Sequence, residues 1–158
     1  MYPLLLTLHS WLRWGVVLTL LVTLLASLAG WLTRRPYTRS DAALRSLTTS
    51  VAHLQLMVGF VLYFLSPIAA YFRQNPGPAM DNLEITFFGL IHVSLMLLAV
   101  VVLTLGSSLG KRAATDAQRH RTVARWFLAG AVIILLAVPW PFSPLAKRPL
   151  FRTYAVGR

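Results

Sequence analysis

The chain has 158 residues, 57% of them hydrophobic and only 12% charged. A soluble domain of this length carries about twice that charged fraction, so most of its apolar surface is destined for lipid, in one compact unit. The formal charge is +11, but the basic residues flank apolar runs and form no continuous face. Anionic headgroups are therefore the expected partner, and nucleic acid is not. No cysteine is present, which excludes disulfides, iron–sulfur clusters, thiolate zinc sites and covalent c-type haem.

Four segments each hold the ~20 mainly apolar residues of a spanning helix. They cover residues 3–33, 41–72, 82–109 and 116–140. β-barrel strands are shorter and alternate, and do not fit. The first segment has no basic n-region and is too long for a signal peptide, so cleavage after Ala29 is not expected. Ser40 is placed to cap the second segment. Pro67 should kink it near its end, and residues 73–78 form a turn. Asp81-Asn82-Leu83-Glu84 and Thr115-Asp116-Ala117-Gln118 read as capping arrangements for the last two segments. Pro139, Pro141 and Pro144 stop the fourth. Short links make consecutive helices antiparallel neighbours, giving an all-α, up-down-up-down four-helix membrane bundle over residues 1–142. Residues 143–158 are a basic tail.

Both termini then lie on one side. The other side holds Arg34, Arg35, Arg39, Arg45, Lys111, Arg112, Arg119, Arg121 and Arg125. The terminal side holds Arg13, Arg73, Lys147, Arg148, Arg152 and Arg158. The positive-inside rule makes the first and third links cytoplasmic and the termini periplasmic. Tyr2, Trp11, Trp14, Tyr71, Phe72 and Trp140 form an outer aromatic belt; Trp31, Tyr37 and Trp126 mark the inner one.

One histidine falls in each segment: His9, His53, His92 and His120. Ionisable residues inside a bilayer are costly and call for a function. His9 heads a stripe of Arg13, Val16, Leu20, Thr23, Ser27 and Gly30, which is small or polar enough to face neighbouring helices. An imidazole one turn from a guanidinium suits a haem site, with His9 on iron and Arg13 on a propionate. Otherwise His9 is interfacial and Arg13 snorkels to headgroups. His53 shares a face with Thr49, Ser50, Met57, Phe60 and Phe64. It is either a ligand or a core histidine bonded across the bundle to a hydroxyl. His92 lies deep on a stripe with Gly89, Met96, Ala99, Leu103 and Gly106. Met57 and Met96 face the bundle as filler. His120 begins a stripe with Ala124, Phe127 and Ala131, or is a surface histidine among solvated charges.

Two ligands of one iron must share a depth. At ~1.5 Å rise per residue, the plausible pairs are His9 with His92 and His53 with His120, each joining diagonal helices, for one or two b-type haems. The members of each pair still differ by roughly 8–12 Å along straight helices. His53 with His92 is the competing single pair. A copper or zinc site would need three or four histidines at one depth, which this spread disfavours. No carboxylate lies within a span to relay protons.

The runs LHSWLRW, AHLQLMVGFVLYFLSP, FFGLIHVSLMLLAVVVLTLGSSLGKR and QRHRTVARWFLAGAVIILLAVPWPF resemble small bacterial four-helix membrane proteins labelled cytochrome b or cytochrome b-like. The resemblance covers residues 3–142 and all four histidines. It implies non-covalent haem b in a bacterial inner membrane. It also implies membrane electron transfer but fixes neither substrate nor partner; a membrane quinone pool and a redox protein are the expected partners. A haem-free accessory subunit with structural histidines, and a homo-oligomer, remain open.

Overall fold

The computed structural model describes residues 1–151; Arg152, Arg158 and the end of the basic tail lie outside the described residues. Helices follow one another as α1 (Tyr2–Thr33), α2 (Arg39–Leu65), α3 (Pro67–Gln74), α4 (Pro76–Ala79), α5 (Leu83–Thr86), a π-helical turn (Phe87–Ile91), α6 (His92–Arg112) and α7 (Asp116–Ala137). No strand occurs among the described residues. Tyr2–Thr33, Arg39–Leu65, Leu83–Arg112 and Asp116–Ala137 are long and apolar enough to cross a membrane.

The helix ends follow local chemistry. Thr38, not Ser40, caps α2. Its hydroxyl accepts from the Asp41 backbone N–H, and the Asp41 carboxylate accepts from the Thr38 N–H at 2.8 Å. Ser40 fails as a cap because it already lies inside the helix. Asp41 also takes two bonds from Arg35, at 2.6 and 2.7 Å. Thr38→Ala should therefore cost about 1 kcal/mol, while Ser40→Ala costs almost nothing. Thermal unfolding of the two variants in the same detergent checks this.

Asn82 caps α5, and Thr115 with Gln118 forms a second capping box at α7. Pro67 ends α2 instead of kinking it. Ser66, just ahead of it, is held at φ −75° and ψ 125°, as residues preceding proline are. Pro67 then opens a new helix, where its missing N–H costs nothing. The expected turn over residues 73–78 is instead the end of α3 and the one-turn helix α4. Val138, just before Pro139, stops α7 in the same extended conformation.

The long helices close a ring: α1 packs on α2 and α7, and α6 packs on α7 and α2. This sets α1 and α6 across the centre from each other. The expected stripes of α1 and α6 turn inward, burying Val16, Leu20, Thr23, Ser27 and Gly30 on α1 and Ala99, Leu103 and Gly106 on α6. On α7, His120, Ala124 and Phe127 turn inward.

Helix α2 departs from the expectation. Its buried face is Asp41, Arg45, Thr48, Ala52 and Leu62. Ser50, His53, Met57 and Phe64 look outward instead, while Phe60 lies at the edge of the buried face. The face is rotated by about one residue, or roughly 100°. The cause is polar pairing, because polar groups in an apolar surround turn toward partners. Thr48 donates to the Thr19 carbonyl at 3.0 Å and shares a 2.8 Å bond with the Thr23 hydroxyl. Arg45, counted from the sequence among the headgroup-facing charges, is buried and donates to the Ser107 carbonyl and hydroxyl.

Candidate functional site

A cavity of about 370 Å³ opens between α1, α2, α6 and the end of α7. Its walls are mainly apolar, with His9, Arg13, Gln55 and His92 among the few polar groups on its lining. This is the composition of a small-molecule site: apolar bulk with a few placed polar groups.

His9 comes from α1, and α2 makes room for it. A Cβ at Gly59 would lie 3.1 Å from His9 Cε1, so glycine lets the imidazole sit close against α2. The Gln55 amide donates to the His9 carbonyl at 3.0 Å, tying the two helices at this level.

His92 comes from α6, immediately after the π turn. Such turns gather at functional sites. Tyr63 O–H donates to the Gly89 carbonyl inside this one, at 3.0 Å. His92 Nδ1 lies 2.7 Å from the Ala137 carbonyl oxygen. A carbonyl only accepts, so Nδ1 carries the proton and Nε2 keeps its lone pair. The Ala137 carbonyl is open because it belongs to the last turn of α7, and the chain leaves the helix at Val138, just before Pro139.

The two imidazole ring centres are 6.4 Å apart, with their planes at 73°. Two imidazoles on opposite faces of one metal, each nitrogen ~2 Å from it, have ring centres about 6 Å apart. The spacing is wide enough for His9 and His92 to hold one metal between them. Two buried polar atoms beside the cavity, His9 Nδ1 and Gln55 Oε1, have no hydrogen-bond partner among the described residues. A buried group left so costs about 1–3 kcal/mol. A ligand bringing its own polar groups offers a way to recover it.

Arg13 lies one turn from His9 and lines the same cavity. Its guanidinium donates to the Leu150 carbonyl and lies 5.5 and 5.9 Å from the Trp14 and Trp140 ring centres.

The other two histidines do not join this site. His53 is exposed on the outer face of α2, with Nδ1 2.8 Å from the Thr49 carbonyl oxygen and Nε2 3.3 Å from the Thr104 hydroxyl. His120 is fully buried, which overturns its reading as a surface histidine. Its ring lies against Gly30 of α1 and 4.9 Å from the Tyr37 ring. Burial pushes the Tyr37 phenol up, so it stays neutral beside that ring. His53 and His120 therefore do not form the expected second pair, because the rotation of α2 turns one outward while the other faces α1. The same rotation removes His53 from any pairing with His92 and leaves Met57 65% exposed, not bundle-facing; Met96 does line the cavity. No three of His, Asp and Glu converge on a metal-sized site among the described residues.

Sequence reasoning missed Gln55, Gly59 and Tyr63. Gln55 carried a signal, as an uncharged polar side chain deep in an apolar run. Compared with known proteins, the chain matches no family model, no curated protein and no solved structure.

Proposed function

We propose that the chain is a multi-pass membrane electron carrier that holds one b-type haem between His9 and His92. The observation that carries this reading is the pair of imidazoles across the bundle, with ring centres 6.4 Å apart on an apolar cavity. The fold is taken as an up-down-up-down bundle in a bacterial inner membrane. Arg34, Arg35, Arg39, Lys111, Arg112, Arg119, Arg121 and Arg125 belong to the cytoplasmic end, and both termini face the periplasm.

Each residue has a separate task. His9 and His92 would hold the iron. The Ala137 carbonyl keeps the proton of His92 on Nδ1, so that Nε2 would be the nitrogen left to hold the metal; such outer partners fix ring orientation and raise ligand basicity. Arg13 offers its guanidinium to a propionate carboxylate. The apolar walls exclude water and hold the site at low dielectric. The haem, when bound, would supply reversible one-electron transfer. Quinone or a soluble redox protein is the proposed exchange partner. His53 and His120 take no part in ligation, so a single haem is proposed and not two.

Electron paramagnetic resonance of the oxidised protein tests this reading. A low-spin ferric signal of the bis-imidazole type is expected, unchanged in His53→Ala. A high-spin signal, or no haem signal after supplementation during growth, would refute it. If no haem is taken up, a haem-free accessory subunit is the better description.

A further inference from the structure

The segment after α7 does not leave the bundle. Ser143 and Ala146 are buried. Arg148 pairs with Glu84, next to the π turn, and its guanidinium carbon lies 4.7 Å from the Phe88 ring centre. Two residues on, the Leu150 carbonyl accepts from Arg13 and from the Trp14 indole, the latter at 3.1 Å. Phe151 stacks on Trp14 at 5.4 Å and meets Trp11 at 5.1 Å. The segment thus joins the two helical stretches that carry His9 and His92. Arg148 and Pro149 lie on the cavity lining itself, so this bridge forms part of the cavity wall.

We propose that residues 143–151 form a strap across the cavity mouth, and that Arg148 closes it by exchanging Glu84 for a carboxylate of the bound ligand. The proposal rests on the cavity holding haem, whose propionates supply that carboxylate. The geometry favours exchange. The Arg148 side chain is 24% exposed and touches the cavity, while Glu84 is 49% exposed. An ion pair with one partner so open to solvent contributes little, so leaving it costs little. A carboxylate at the edge of an apolar cavity is a stronger partner, because charge-assisted bonds gain strength with desolvation. Arg13 lines the same cavity, so the site presents two guanidinium groups to an anionic ligand edge.

The test is the rate of haem loss from the full, haem-loaded chain in detergent, measured by transfer to excess apomyoglobin. Arg148→Ala should lose haem about tenfold faster, as expected from losing one charge-assisted bond. Glu84→Gln should lose it several-fold more slowly, because Arg148 is then released to the ligand. If both variants lose haem faster, the ion pair merely fastens the strap and the exchange is wrong. Rates equal to wild type in both variants would also overturn it. A wild-type chain that takes up no haem fails one step earlier, on the cofactor itself, and the exchange falls with it.

Discussion

Alanine in place of His92 should leave the purified protein with little or no haem, while His53→Ala keeps a full complement. The imidazole of His92 is oriented by the Ala137 carbonyl and faces His9 across the cavity. Changing the outer partner of a metal ligand already costs about 10–100-fold in affinity, and removing the ligand itself costs more. His9→Ala should behave in the same way. The alanine leaves a hole the size of the ring, so free imidazole added during reconstitution should restore part of the haem content in both variants. His120→Ala should retain haem and lose stability only, because His120 packs against Gly30 and lies off the cavity lining. Equal haem loss in all four variants would show that the histidines act through the fold and not through the iron.

Gly30→Ala is expected to be among the most damaging of the small substitutions. A methyl group there would lie 2.3 Å from His120 Cε1 and 2.5 Å from both ring nitrogens. No heavy-atom contact tolerates that separation, and the imidazole cannot swing clear, being fully buried beside Tyr37. Either α1 and α7 separate or the ring leaves its rotamer. Overpacking of this kind costs about 1–3 kcal/mol, and the loss should appear as a lower unfolding temperature in detergent. The double variant Gly30→Ala with His120→Ala separates clash from other causes. It should be less destabilised than the sum of the two single changes, since the alanines vacate the space in dispute. Additive losses would mean that the two residues do not share it. Haem content per folded chain should stay the same throughout.

Three of the four helical faces were legible because their small and polar residues repeat on a single stripe. On α1, Val16, Leu20, Thr23, Ser27 and Gly30 leave one packing choice. Helix α2 offered two adjacent stripes, Thr48 with Ala52 and Thr49 with His53, and hydropathy does not separate them. The decision lay in partners on other helices, Thr23 on α1 and Ser107 on α6, which a single segment does not reveal. The same ambiguity produced the expected pairing of His53 with His120.

The pairing of His9 with His92 was proposed despite a poor match in depth along straight helices. The π turn at Phe87–Ile91 breaks the straight-helix count just before His92. No residue type in FFGLI announces such a turn. The tautomer of His92 depends on a carbonyl 45 residues away, in the last turn of α7, where the chain leaves the helix at Val138. The tail illustrates a different limit. Its composition marks a basic tail and says nothing of contacts, whereas Arg148, Leu150 and Phe151 each find partners on α1 or beside the π turn. Contacts of that range follow from where α7 ends, and composition does not encode them.

Pyridine haemochrome analysis of the full chain, purified after expression with haem supplementation, tests the central claim most directly. One protohaem per polypeptide is the expected result, falling to near zero in His9→Ala and in His92→Ala. No haem in the wild-type chain, or two per chain, would contradict it.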